Sequence, residues 1–323
     1  MSERPDTSDA DSSSGPRRKV EFWIARLNSL VDGEDASRQL AIFGDAAIPA
    51  LRDFLVSGRP SGIYQPRQWA VQALKALGAK DVLLEYLAHE NYIADPIIRE
   101  GEDAVRNTAA RLIAGWKTED VFQTLLALSE KRLLPGVIFA LGEFHRPEAL
   151  AVLDRALEDD VAGPSAEEAL LKFGQAAAEK LVSSALRKRM NQEWESPSSL
   201  RRRRAAVKIL ADTGLGNQSW NTLRPLLDER DPEIVVHAAK VAVATGSESE
   251  KKVTVDALLR VLPEAPWYLR DDLANFIKSL YAFGASQIEQ EIARRMAQPS
   301  HVRAADGALI LLLRVRAHRG TAD

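Results

Sequence analysis

The sequence contains no cysteine, which excludes a disulfide framework, a thiolate metal site, an iron–sulfur cluster and a cysteine nucleophile together. Neither sign of charge dominates. Lys and Arg number 43 against 46 Asp and Glu, a formal net charge of −3, so no bulk positive field draws the chain to nucleic acid or anionic lipid. Only a local basic patch stays open. The longest unbroken apolar run, Ala308 to Leu313, falls far short of the ~20 residues a bilayer-spanning helix requires, so a soluble protein without membrane contact is expected. No apolar stretch follows a basic start before Val20; without that pattern of a secretory signal, a cytoplasmic location is expected. No run alternates at period two for long enough to read as a strand.

What is present is a globular composition. Hydrophobic residues make up 46% and charged residues 28% of 323 residues, enough burial to offset the ordering entropy of most of the chain. Residues 1–19, rich in Ser, Asp, Pro and Arg, read as a disordered polar tail. The first amphipathic helix is expected over 20–31, and the body at 20–320 as a single domain.

From Gly33 onward one phrase recurs: an alanine-rich apolar helix ending at glycine, followed closely by a leucine-rich helix. It reads Gln-Leu-Ala-Ile-Phe-Gly at 39–44, Ala-Leu-Lys-Ala-Leu-Gly at 73–78 and Leu-Leu-Lys-Phe-Gly at 170–174. It returns ending at Gly214, Gly246 and Gly284, with looser copies near Gly115 and Gly142. The mean spacing is about 34 residues, the range of helical solenoids. In the second unit Ala70, Val71, Leu74 and Leu77 form one apolar stripe, and Gly78 is expected to supply a left-handed C-cap. Two short helices cannot bury such a stripe alone, so copies must stack on each other. The helix at 20–31 and a final helix at about 302–317, with Arg314, Arg316, His318 and Arg319 toward its end, read as caps of the array. An all-α fold is expected.

The signatures of tetratricopeptide and ankyrin repeats are missing. Instead the chain carries Asp231-Pro232-Glu233-Ile234 leading to Ala238-Ala239, Ala104-Val105-Arg106 leading to Ala109-Ala110, and Pro299-Ser300-His301-Val302-Arg303. Asp45-Ala46-Ala47-Ile48-Pro49-Ala50-Leu51 and Pro147-Glu148-Ala149-Leu150-Ala151-Val152-Leu153 supply the other helix. Together, over roughly 33–317, these phrases resemble short HEAT-like repeats of the phycobilisome-lyase type, in which a leucine-rich outer helix precedes an inner helix opening with Asp-Pro-x-Val-Arg. The resemblance implies a right-handed α-solenoid of about eight hairpins with capping helices. The repeats at Gly142 and Gly174 lack the inner-helix arginine, and the seventh has Val235 in its place.

Arg67, Arg106, Arg203, Arg270 and Arg303 fall at or near equivalent inner-helix positions. Counted from Leu210 at ~100° per residue, Arg203 lies about 20° from the centre of the buried stripe. Such arginines are expected to form a structural ladder, paired with an acid or carbonyl of the next repeat. Arg201, Arg204 and Lys208 project about 120–180° from that centre, the side that lines the concave groove of a HEAT-like solenoid, where they are candidates to hold acidic groups of a partner. Equivalent positions elsewhere are Gln65, Gln68 and Gln72, then Glu233, Val236 and Lys240, then Asp271. The basic charge is therefore local, and a continuous phosphate-tracking stripe is not expected.

Long connections are read at 57–66, 90–103, 190–199 and 263–266. They carry Tyr64, Tyr92 and Trp194, with Trp267 and Tyr268 just beyond the last. Rigid exposed aromatics suit protein recognition, so these five are candidates for a partner-binding rim; packing against their own hairpin is the alternative.

No catalytic, cofactor or metal site is read. His89-Glu90 is the only His-Glu pair, where the di-iron hydroxylases built on similar repeats need several. Gly214-Leu-Gly216-Asn-Gln-Ser219 starts like a dinucleotide fingerprint but has Ser at its third glycine and no preceding strand. The expected function is a non-catalytic interaction scaffold for an unidentified protein partner. The resemblance keeps two alternatives open, a bilin-lyase-type chromophore lyase or chaperone subunit and a HEAT-like nucleic-acid base-repair protein, the latter with Trp69, Trp116 and Trp220 available.

Overall fold

A computed structural model describes residues 14–89 and 92–317. The chain divides into two compact units, one ending at Ala169 and the other beginning at Leu170. The first contains α1 (Ser14–Arg26), α2 (Gly33–Ile42), α3 (Ile48–Arg52), α4 (Gln65–Ala76), α5 (Lys80–Ala88), α6 (Pro96–Ile113), α7 (Glu119–Lys131), α8 (Pro135–Phe144) and α9 (Leu150–Ala156). The division falls within α10 (Gly163–Phe173). The second contains α11 (Ala178–Leu186), β1 (Met190–Asn191), β2 (Trp194–Glu195), α12 (Pro197–Thr213), α13 (Trp220–Leu223), α14 (Pro232–Thr245) and α15 (Glu248–Val261). It continues with α16 (Trp267–Ser279), α17 (Tyr281–Met296), α18 (Ser300–Ala305) and α19 (Gly307–Ala317). The protein is all-α apart from the minimal β1–β2 hairpin, and no helix among the described residues is long and apolar enough to cross a membrane.

Local sequence explains a typical element. In α4, Ala70, Val71, Ala73 and Leu74 are buried on one face, and each Val or Leu so covered contributes roughly 1.5–3 kcal/mol. The helix stops at Gly78, whose φ is +70°. There the Ala79 amide donates to Leu74 O at 2.9 Å and the Gly78 amide to Lys75 O at 3.1 Å, the paired bonds of a Schellman cap. Within the first unit α2 packs on α4, α4 on α6, α6 on α8, and α5 on α7; within the second α12 packs on α14 and α15 on α17.

The glycine phrase does not act the same way everywhere. Gly142 lies inside α8, where an added Cβ would stand 2.5 Å from the Ala169 Cβ, and the left-handed turn falls instead on His145 at φ +53°. Here glycine serves close helix approach, not chain reversal.

Several expected boundaries shift. Helix α1 starts at Ser14, six residues inside the expected polar tail, because Pro16 suits a first helical turn and Arg17 pairs with Glu21 one turn on at 3.4 Å; residues 1–13 lie outside the described residues. The expected connection at 90–103 is shorter, since α6 begins at Pro96, where the Asp95 carboxylate accepts from the Ile97 and Ile98 amides at 2.8 and 3.3 Å, a side-chain N-cap. The segment at 190–199 contains strands where none was expected, with Met190 opposite Glu195 and Asn191 opposite Trp194 around Gln192 at φ +57°. At 263–266 a 3-10 turn, Leu262–Glu264, extends α15, leaving no long connection. The final helix is two, divided where Asp306 caps α19 by accepting from the Leu309 amide at 3.0 Å; His318 and Arg319 lie outside the described residues. Val236, expected in an open groove, is buried.

Candidate functional site

The inner-helix arginines point to helix ends. Arg67, on α4, donates from Nη2 to Leu55 O at 2.8 Å and from Nη1 to Gly58 O at 3.2 Å and Phe54 O at 3.3 Å, carbonyls of the π turn Asp53–Ser57 that extends α3, the outer helix of its own hairpin, and of Gly58 just after it. Arg106, on α6, donates to Leu87 O and His89 O at 3.4 and 2.5 Å, at the end of α5. Arg203, on α12, donates from Nε to Ala185 O at 2.7 Å, at the end of α11. All three are buried. Arg270 donates to Ala265 O at 2.8 Å and Arg303 to Met296 O at 3.2 Å, both from more open positions. The carbonyls thus belong to the preceding helix of the same hairpin, not to the next repeat. That helix ends with unpaired C=O groups and the negative pole of its dipole, which a guanidinium satisfies on both counts.

Acids complete the buried members, from the next hairpin in the case of Glu102 and Glu229 and from the hairpin's own connection in the case of Glu195. Glu102, on α6, meets Arg67 with Nε–Oε2 at 3.2 Å. Arg203 contacts Glu195 and Glu229, each at 2.6 Å. Burial would raise the Glu229 carboxyl, but hydrogen bonds from Lys188 and Arg203 hold it below its ordinary value. For α8 and α14, two inner helices without arginine, the following outer helix supplies one; α11, which follows α10, has none. Arg155 of α9 donates to Ser129 O, near the end of α7, at 2.8 Å, and Arg260 of α15 reaches Leu227 O and, at 2.9 Å, Glu229 O. Sequence reasoning missed Arg155, Arg260 and the buried Arg202. The available signal was that each missing inner arginine leaves carbonyls to be satisfied.

The positions assigned to a groove form a polar chain across α12, α14 and the start of α16. Arg204 contacts Asp231 (Nη2–Oδ2 2.5 Å) and Glu233 (Nη1–Oε1 3.1 Å). Burial acts to lower the Arg204 guanidinium, and the Asp231 hydrogen bond and attraction outweigh it, so the group sits above its ordinary value. Glu233 in turn accepts from the Tyr268 hydroxyl. Arg201 is half-buried and Lys208 exposed on α12. Beside them His237 is pushed down to about 4 by burial and by the Lys240 and Lys208 charges, against a smaller opposing effect of Asp212. This cluster is largely self-neutralised.

The proposed rim separates into distinct cases. Tyr64 is half-buried beside the start of α4. Tyr92, Trp194 and Trp267 are 96%, 75% and 83% exposed. Trp194 stands on the hairpin whose Glu195 is pinned by Arg203 and, at 2.7 Å, by the Ser199 hydroxyl. Trp267 opens α16 and meets Tyr268 edge-on, with ring centroids 5.9 Å apart. Tyr268 is exposed yet tethered by Glu233.

Gly214 and Gly216, at φ +83° and +55°, form the turn between α12 and α13. No group of acids and histidines able to hold a metal ion occurs among the described residues, and Glu90, the partner in the His89-Glu90 pair, lies outside them. In comparison with known proteins, no family model matches the chain and no curated protein matches it.

Proposed function

We propose that this chain is a non-catalytic protein–protein interaction scaffold built from HEAT-like helical hairpins. Packing of inner helices on the inner helix two elements away, as in α2–α4–α6–α8 of the first unit and α12–α14 of the second, supports the repeat reading, because that is how stacked hairpins share a core. The observation that carries the function is the set of exposed aromatics on anchored supports: Trp194 on a hairpin fixed through Glu195, and Trp267 and Tyr268 at the first turn of α16. Exposed, preorganised Trp and Tyr are the residue types that dominate binding energy at protein interfaces. Arg204 of α12, linked to Tyr268 through Glu233, is the specificity element, with Arg201 and Lys208 on the same helix.

The test compares wild type with a Trp194→Ala and Trp267→Ala variant in cross-linking capture from the native source, followed by direct binding of the captured protein. These side chains cover little of the core, so unfolding stability should stay within about 0.5 kcal/mol. Partner affinity should fall at least tenfold. Equal affinity for both forms would refute the rim.

A further inference from the structure

The face of α16 turned away from the core brings two rings and two carboxylates together. Trp267 and Tyr268 are 83% and 53% exposed, and their ring planes stand 86° apart with centroids 5.9 Å from each other. Two perpendicular rings make an open corner. Counted at ~100° per residue, Asp271 lies about 40° around the helix from Trp267 and about 60° from Tyr268, one turn further along, and Asp272 lies about 40° beyond Tyr268. Leu269, Leu273, Ala274 and Ile277 are buried on the opposite side. Both aspartates are exposed, and neither makes a hydrogen bond or ion pair with another described residue. The corner is held in place by a tether. Tyr268 donates its hydroxyl to Glu233 on α14, and that bond, with burial and the Glu233 charge, lifts the phenol above its ordinary value, so the tethering proton stays at neutral pH. Two neighbouring cations are engaged elsewhere: Arg204, whose charge reaches Tyr268, is matched by Asp231 and Glu233, and Arg270 turns to the Ala265 carbonyl at 2.8 Å.

Aromatic faces carry the negative part of the ring quadrupole and attract an ammonium or guanidinium placed within ~6 Å of their centroids. Carboxylates one turn away pull on the same charge. We infer that this corner of α16 receives a cationic side chain from a basic segment of the protein partner, with the charge against Trp267 and Tyr268 and beside Asp271 and Asp272. The inference rests on the scaffold reading and gives the partner its chemistry, a segment bearing lysine or arginine. An apolar segment docked here would strip water from two aspartates and give them nothing in return. An acidic one would meet them as like charges. A single cation–π contact at an exposed site is weak, so selectivity comes from rings and carboxylates acting on one charge.

The probe is a peptide of alternating lysine and glycine, with the glutamine–glycine and glutamate–glycine peptides of equal length as its neutral and acidic counterparts, each titrated into the full chain. The readout is the indole N–H signal of Trp267 in a proton–nitrogen correlation spectrum, assigned by its loss in Trp267→Ala. The lysine peptide should shift that signal with a Kd of about 1–10 mM, and the other two should leave it in place. Asp271→Asn with Asp272→Asn keeps both rings on an exposed face and should weaken the lysine peptide at least about threefold. No shift by the lysine peptide at ~20 mM, an equal shift by the glutamine peptide, or undiminished binding to the aspartate variant would each overturn the assignment. So would tighter binding of the glutamate peptide, which the positive pole of the helix alone favours. The captured partner separates this inference from the rim itself. If the aspartate variant binds it as tightly as wild type while Trp194→Ala with Trp267→Ala loses affinity, the rim stands and the cationic corner falls; equal affinity of the aromatic variant refutes the rim whatever the peptides do.

Discussion

Glu102→Gln isolates what the buried network in the first unit contributes. The substitution keeps the shape of the side chain and removes the one buried carboxylate that Arg67 meets at 3.2 Å and Arg106 approaches to 3.9 Å. Both guanidiniums are then buried with carbonyls and the Tyr86 ring as their chief partners; their charge centres lie 5.7 and 5.6 Å from the Tyr86 centroid. Breaking a buried pair by removing one charge costs about 3–5 kcal/mol, while cation–π contact on a ring returns only about 0.5–2 kcal/mol. A net loss of about 2–4 kcal/mol is expected, or roughly 4–16 °C in a unit of this size. An exposed pair supplies the control: Arg52 and Glu85 are both about 40% exposed, and Glu85→Gln should cost no more than about 1 kcal/mol. Urea unfolding followed by circular dichroism reads both. The double variant Arg67→Met, Glu102→Leu should recover part of the loss, because it removes a charge together with its partner. A cost below 1 kcal/mol for Glu102→Gln, or no difference from Glu85→Gln, would show that the network is not electrostatically coupled.

Three further outcomes are expected. Leu210→Asp places a charge at a fully buried position of α12 and should cost several kcal/mol, about 3–5; unchanged thermal unfolding would refute the assigned register. His237 has its folded value depressed from 6.5 to about 4, so between those limits the unfolded chain binds a proton that the folded chain resists. Stability should therefore fall as pH drops from about 6.5 toward 4, by an amount on the order of 3 kcal/mol before solvent screening. His237→Gln should flatten that limb in urea unfolding at a series of pH values, and an unaltered slope would exclude His237 as its source. Because Arg204 is occupied by Asp231 and Glu233, random duplex DNA should not bind at low salt, where phosphate attraction is strongest. Tight, salt-sensitive binding in an electrophoretic shift assay would favour the base-repair reading.

Periodicity made much of the fold legible. The α4 stripe and its Gly78 cap follow from spacing alone, since both depend on neighbours within one helix turn. The same projection from Leu210 placed Arg203 toward the core, and it is buried there. Partners were less legible, because the carbonyl an arginine reaches belongs to a different helix and carries no side-chain signature. Gly142 misled for a related reason: glycine answers both to a left-handed turn and to the close approach of a second helix, and sequence does not say which. The Asp95-Pro96 start of α6 was readable as an N-cap followed by proline, but the surrounding polar residues read as loop. For the candidate surface, aromatic identity was visible, while the tether that holds Tyr268 to Glu233 joins residues 35 positions apart.

Three of the buried arginines, Arg67, Arg106 and Arg203, stand beside the connections at 58–64, 89–95 and 187–196. Each outer helix is finished by a side chain from its partner helix, so the intervening segment is relieved of that task. Outside Asp95, Glu195 and Ser196, which cap helices or pair with Arg203, these segments are therefore the places where foreign sequence can be spliced in or local sequence exchanged at little cost to the folded body. In engineering terms the guanidinium works as a clamp that frees the bridge it spans to diversify.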